Sequence, residues 1–213
     1  MNAKLLFSCL IGLLLFSCSK SGYRNAYIQY QTVMLSPDEK KIVTESLQGM
    51  HEKYDPEIKM LTSKLNGYNY HTDASTGVFH QVRSSFSYAV LLLDLGDEKY
   101  TQRAFDVIEK TITLQDQDST SKSCGVWPYY MEEPLATKKS PIDYNWADFN
   151  AVSLLDVWMG HENQIPADLK PKIKNALILA ARSIQKRNMG PGYTNIAIMG
   201  TYVTYMVPPL SSV

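Results

Sequence analysis

The chain has 213 residues, 45% of them hydrophobic and 20% charged, the proportions of a foldable globular protein rather than a disordered or collagen-like one. Lys plus Arg balances Asp plus Glu at 21 each. With neither net charge nor a basic run, no nucleic-acid partner is expected. Tyrosine is abundant, with 14 residues.

The first segment reads as an address. Lys4 supplies a positive start, and the apolar run Leu5–Phe16 follows. That run is short of the roughly 20 residues a membrane span needs and has the form of a secretory hydrophobic region. It ends in Leu15-Phe16-Ser17-Cys18, which resembles the lipobox of bacterial lipoproteins in the looser form of Bacteroidetes-type bacteria. The resemblance implies that residues 1–17 are a signal peptide and that Cys18 is lipidated. A plain signal peptide containing Cys18 is the alternative. Residues 18–35 then form a polar tether, and the protein sits at the cell envelope, anchored on the periplasmic or outer-membrane side. With Cys9 removed and Cys18 acylated, only Cys124 remains, so no internal disulfide can form.

From residue 36 onward the chain reads as helical hairpins. Ser36-Pro37-Asp38-Glu39 combines a capping Ser, Pro in the first turn and a Glu three residues on, a strong helix start. Ile42, Val43, Leu47 and Met50 follow on one face. Pro56 is expected to open a second short helix carrying Ile58, Leu61 and Leu65. Phe79, Val82, Phe86, Val90 and Leu93 recur at steps of three and four, the apolar stripe of a helix. Gly96 suits a left-handed C-terminal cap. Asp97 begins a further helix with Phe105, Ile108 and Ile112 inward, so tight a joint making the two antiparallel neighbours. Residues 147–160 and 168–187 repeat the pattern, and Met189-Gly190-Pro191-Gly192 stops the second. The segment Ile196–Val207 is open between helix and buried strand.

Between the two pairs lies an aromatic stretch, Cys124–Trp146, with Trp127, Tyr129, Tyr130, Tyr144 and Trp146 among three prolines. A long irregular connection inside a compact domain is usually functional.

Three stretches carry a resemblance at the level of fold: Ala89-Val90-Leu91-Leu92-Leu93-Asp94-Leu95-Gly96-Asp97-Glu98, Trp127-Pro128-Tyr129-Tyr130-Met131-Glu132-Glu133-Pro134 and Asn145-Trp146-Ala147-Asp148-Phe149. Over residues 75–207 the chain resembles the (α/α) toroid proteins, the six-hairpin glycosidases and many polysaccharide lyases. The resemblance implies an all-α fold of helical hairpins over residues 36–213, forming an incomplete toroid. A closed toroid needs about a dozen helices, more than this chain offers, so the chain is expected to be the N-terminal part of a longer protein cut by a frameshift or early stop.

The chemistry expected is that of sugar. Flat rings stack on sugar C–H faces, and planar polar groups hold hydroxyls. Trp127, Tyr129, Tyr130 and Trp146 supply the first kind, with Asn145, Tyr193 and Asn195 as further contacts. Glu132, Glu133, Asp143 and Asp148 are the candidate acids, since glycoside hydrolysis needs two carboxyls. A lyase would instead need a Tyr or His base and a group that neutralises a uronate. The bland reading is that the rings cap a core and the acids cap helices. His80, with Arg83 one turn on, could face a cleft and bind an anion, although ordinary surface exposure accounts for both. The histidines His51, His71, His80 and His161 form no metal-ligand motif. With no phosphate loop, GxSxG or dinucleotide fingerprint, no cofactor is expected. Three readings follow as expectations: an envelope lipoprotein binding or degrading polysaccharide or oligosaccharide, a non-catalytic scaffold lipoprotein that holds a glycan or protein, or an inactive truncated product.

Overall fold

The computed structural model describes residues 35–207 except His71. The signal peptide, Cys18 and most of the tether lie outside the described residues, as does His71.

Helix α1 spans Pro37–His51. Its start is as local chemistry dictates. The Ser36 hydroxyl accepts the Glu39 N–H at 3.3 Å, and the Glu39 carboxylate accepts the Ser36 N–H at 2.7 Å. This capping box satisfies two of the N–H groups that a helix start leaves open. Only Leu47 of α1 is buried, while Ile42 is 63% exposed.

The all-α expectation fails in the next segment. Instead of a helix from Pro56, the chain forms strands β1 (Tyr54–Asp55), β2 (Met60–Asn66) and β3 (Thr76–His80), an antiparallel sheet in the order β1-β2-β3. The reason is a turn that imitates a helix start. Asp55 Oδ1 accepts the N–H groups of Glu57 and Ile58 at 2.9 and 3.1 Å. Lys59 then takes a left-handed conformation, φ 63°, which ends any helix and returns the chain as a hairpin. Leu61 and Leu65, spaced like helix positions, lie buried on β2. β2 pairs with β3 from Thr62↔His80 to Asn66↔Thr76. Phe79 is correspondingly a strand residue and not the first of the helical stripe.

Helices α2 (Val82–Leu95), α3 (Thr101–Ile112), α4 (Trp146–His161), α5 (Lys170–Arg187) and α6 (Thr194–Met206) follow. Gly96 ends α2 in the left-handed region, φ 71°, where a side chain would be strained. Asp97 caps a short 3₁₀ turn, Glu98–Tyr100, before α3. α2 and α4 run parallel. Near their starts Arg83 lies over the Phe149 ring, and at their ends Asp94 meets His161. α5 runs back along α4, with Lys174 over Trp158 at one end and Arg187 against Asp148 at the other. The segment open between helix and strand is helix α6. One core joins these elements, from Leu47 and Leu61 through Phe86, Trp127 and Leu154 to Ile173, Leu177 and Val203. None of the helices among the described residues is long and apolar enough to cross a membrane.

The stretch between α3 and α4 is held at both ends of its aromatic part. Gly125, at φ 88°, passes so close to α5 that a Cβ would sit 2.2 Å from the Leu179 carbonyl oxygen, so only glycine fits. Further on, Val82 N–H donates to the Tyr129 carbonyl at 3.2 Å and Met131 N–H to the His80 carbonyl at 3.0 Å. The Tyr129–Met131 backbone is thereby stitched to the β3–α2 junction.

Candidate functional site

That stitching creates the site. An open surface pocket of about 300 Å³ is lined by Met50, Gln81, Arg83, Ser84, Ser87, Tyr129 and Trp146. Gln81, Ser84 and Ser87 come from the beginning and exposed flank of α2, one turn apart. Met50 comes from the end of α1, Tyr129 from the aromatic stretch and Trp146 from the start of α4. Two of the expected sugar-contacting residues, Tyr129 and Trp146, therefore share one pocket.

Ring contacts order this wall. Phe79 meets Tyr130 with centroids 5.0 Å apart, Tyr130 meets Tyr129 at 4.5 Å, and Tyr129 meets Trp146 edge to face at 4.7 Å and 89°. Trp146 touches Phe149 at 5.6 Å, and the Arg83 guanidinium lies 4.0 Å above the Phe149 ring centre. Such edge-to-face pairs contribute about 0.5–1.5 kcal/mol each beyond burial, so the rings hold one another in place. Gln81 completes the wall. Its Nε2 donates to the Tyr129 hydroxyl at 3.2 Å and its Oε1 accepts from the Ser84 hydroxyl at 2.5 Å. Trp146 is only 8% exposed, so it bounds the pocket more than it fills it.

The other expected site residues lie elsewhere. Trp127 has no exposed surface. It packs edge-on to Phe86 at 5.7 Å, and its Nε1 donates to the Thr111 carbonyl at 3.1 Å. A ring so enclosed offers no stacking face, and the expectation of a sugar platform at Trp127 is corrected on that ground. Tyr130, 2% exposed, is likewise a packing residue.

The four acids do not converge. Glu132 faces His80, whose Nδ1 lies 2.5 Å from Glu132 Oε1 while Nε2 lies 3.3 Å from Asp55 Oδ2. Glu133 accepts the Asp73 N–H at 2.7 Å. Asp73 in turn accepts the N–H groups of Lys139 and Ser140 at 2.7 and 2.6 Å, bonds that, with the Ser140 hydroxyl, hold its carboxyl down at about 2. These contacts staple the β2–β3 loop to the aromatic stretch. Asp143 accepts the Asn145 N–H at 2.9 Å. Burial, then the Asp143 carboxylate and Tyr193, push the Tyr70 hydroxyl above its usual value. Tyr70, 56% exposed, is a residue that sequence reasoning missed. Asn195 is exposed at the start of α6.

Asp148 has no exposed surface and pairs with Arg187, whose Nη1 also donates to Asn145 Oδ1 at 2.8 Å. Burial pushes the Asp148 carboxyl up, against the pull of Arg187. Asp148 and Asn145 therefore tie α4 to α5. Two catalytic carboxyls flanking one substrate are not assembled at the pocket, and none of the described residues lining it is acidic.

Two other histidines, His51 and His161, are structural in the same sense. His51 Nδ1 is 2.8 Å from the Tyr88 hydroxyl, and burial followed by Arg103 and Lys99 lowers its ring's affinity for a proton. His161 is buried against Asp94 at 2.9 Å. No group of three His, Cys, Asp or Glu among the described residues could hold a metal ion. Cys124 is a free thiol that burial pushes up.

Of the pocket's polar residues, only Arg83 drew notice in the sequence. The signal for the others was there: Gln81, Ser84 and Ser87 recur every three residues beside the buried stripe of α2. His80, coupled with Arg83 by proximity in sequence, points instead to Glu132 and Asp55.

The chain belongs to the family described as a domain of unknown function, DUF8769, which matches residues 40–208. No curated protein matches the chain, and no solved structure does.

Proposed function

We propose that this member of the family is an envelope lipoprotein that binds polysaccharide or oligosaccharide in the Tyr129–Trp146 pocket, without cleaving it. The single observation that carries the reading is the composition of that pocket. Two mutually braced rings stand beside four polar side chains, Gln81, Arg83, Ser84 and Ser87, in an open hollow of about 300 Å³. Rings supply apolar area for sugar C–H faces, and hydroxyl, amide and guanidinium groups exchange hydrogen bonds with sugar hydroxyls. The absence of a carboxylate from the described lining favours binding over hydrolysis, which needs an acid and a base or nucleophile. The anchoring half of the reading rests on the Leu5–Phe16 run and Cys18.

The test fills the pocket rather than deleting its walls. Ser87 lies half-buried on the pocket-facing flank of α2, so Ser87→Phe occludes the hollow while leaving the core intact. The domain from residue 35 onward is titrated against a polysaccharide panel while tryptophan fluorescence is followed. The expected result is a saturable change with at least one glycan, weakened ten-fold or more in Ser87→Phe at unchanged thermal stability. Equal binding by the parent and Ser87→Phe would remove the pocket from the reading.

A further inference from the structure

Among the described residues lining the pocket, Arg83 is the one that is charged. Its guanidinium lies 4.0 Å above the Phe149 ring. Among the described residues no carboxylate pairs with it, and no hydrogen-bond acceptor holds it. Its position contrasts with that of other cations here. Arg187 is tied to Asp148 and Asn145, Lys172 to Glu109, and Lys59 to Asp106. Arg83 rests over an aromatic face, and among the described residues its N–H donors meet no acceptor. The residues beside it, Ser84 and Ser87, are neutral hydroxyl bearers one and four positions on.

We infer that the pocket takes an acidic saccharide and that Arg83 receives its anionic substituent. The inference rests on the sugar-binding reading and adds the charge of the ligand. A planar fork of N–H donors matches a carboxylate in two parallel hydrogen bonds, so the favoured substituent is the carboxylate of a uronic acid. A sulfate ester shares the charge but not the planar match. Tyr129 and Trp146 then contact the ring that carries the acid, and Gln81, Ser84 and Ser87 its hydroxyls. No proton or bond moves in this step; it is recognition only.

The experiment uses a panel of uronate oligosaccharides, built from galacturonate, glucuronate, mannuronate and guluronate. Each is matched with its methyl ester, and a sulfated galactan oligosaccharide is included. Binding is measured by calorimetry to the parent, Arg83→Gln and Ser87→Phe. The expected result is that at least one uronate binds about ten-fold or more tightly than its ester, the gain typical of a charged hydrogen bond. Arg83→Gln brings that affinity down to the level of the ester, and added salt narrows the gap in the parent. Sulfated galactan binding as tightly as the best uronate would identify the substituent as any anion and overturn the carboxylate. Esters binding as well as acids, with Ser87→Phe disrupting both, would overturn the inference and leave the sugar site standing. Binding by none of the panel would overturn both.

Discussion

The first turns of α2 and α4 are parallel neighbours, yet their polar groups meet opposite fates. In α4 the carboxylate of Asp148 is buried and engaged by Arg187, with Asn145 sharing the same guanidinium. In α2 the guanidinium of Arg83 has no acid beside it among the described residues and rests on Phe149, in a pocket lined with hydroxyls. The difference is one of what lies opposite. α5 covers the start of α4 and brings Arg187 with it. At the start of α2 the described residues of other segments that share the pocket are Met50, Tyr129 and Trp146, none of them acidic. Charge that is covered serves stability; charge left at a pocket is free for a ligand.

The comparison breaks most sharply at Asp148. Removing one member of a buried pair leaves the other charge without compensation, at a cost of about 3–5 kcal/mol. Asp148→Ala should therefore lose roughly that much in urea denaturation. A loss below about 1 kcal/mol would mean that Arg187 simply swings to solvent and that the lock between α4 and α5 is loose.

The far end of the same helices offers a second contrast. Asp156 of α4 is pushed up to about 6, first by burial and then by Asp94. The native state therefore holds a proton that the unfolded chain releases at its ordinary value of 3.8. By linkage the folded form loses stability as pH rises from about 4 through 6 and regains it on acidification across that window. Asp156→Asn removes the dependence. The mutant should gain about 1–2 kcal/mol at pH 7, the full shift being discounted for the partial exposure of the group. Below pH 4 it should gain nothing. Thermal midpoints measured across this range decide it, and an equal gain at every pH would show that the effect is packing rather than charge.

The smallest effect sharpens the contrast with Asp148. Arg83→Gln loses one exposed cation–π contact, about 0.5–1 kcal/mol, and no ion pair. Urea midpoints of Arg83→Gln and Asp148→Ala, compared side by side, should differ several-fold in the cost they report. Equal costs would mean that Arg83 supports the fold as Asp148 does.

The sequence reading of site residues divided along the same line. Tyr129, Trp146, Trp127 and Tyr130 are all rings in one irregular stretch, and ring type alone cannot say which faces out. Burial sorted them: Trp127 turns into the core against Phe86 and Thr111, while Tyr129 turns to Gln81 and Trp146. The acids scattered for a related reason. Three of the four found a partner from a distant segment, His80 for Glu132, Asp73 for Glu133 and Arg187 for Asp148, while Asp143 accepts the N–H of nearby Asn145.

What the sequence determined by itself is the part written in local hydrogen bonds and period. The Ser36–Glu39 box starts α1, Gly96 closes α2 with the left-handed turn that an achiral residue allows, and the three-and-four spacing places the buried faces of α2, α3 and α5. The tertiary structure decided the sheet, because Ile58, Leu61 and Leu65 fit a helix as well as a strand. Only pairing of β2 with β3, together with the left-handed turn at Lys59, chooses the strand. It also decided the pocket, whose walls come from α1, α2, the aromatic stretch and α4 and meet only when the chain closes. Short-range rules bind neighbours within a turn or two, while a site is made where segments far apart in sequence come to rest against one another.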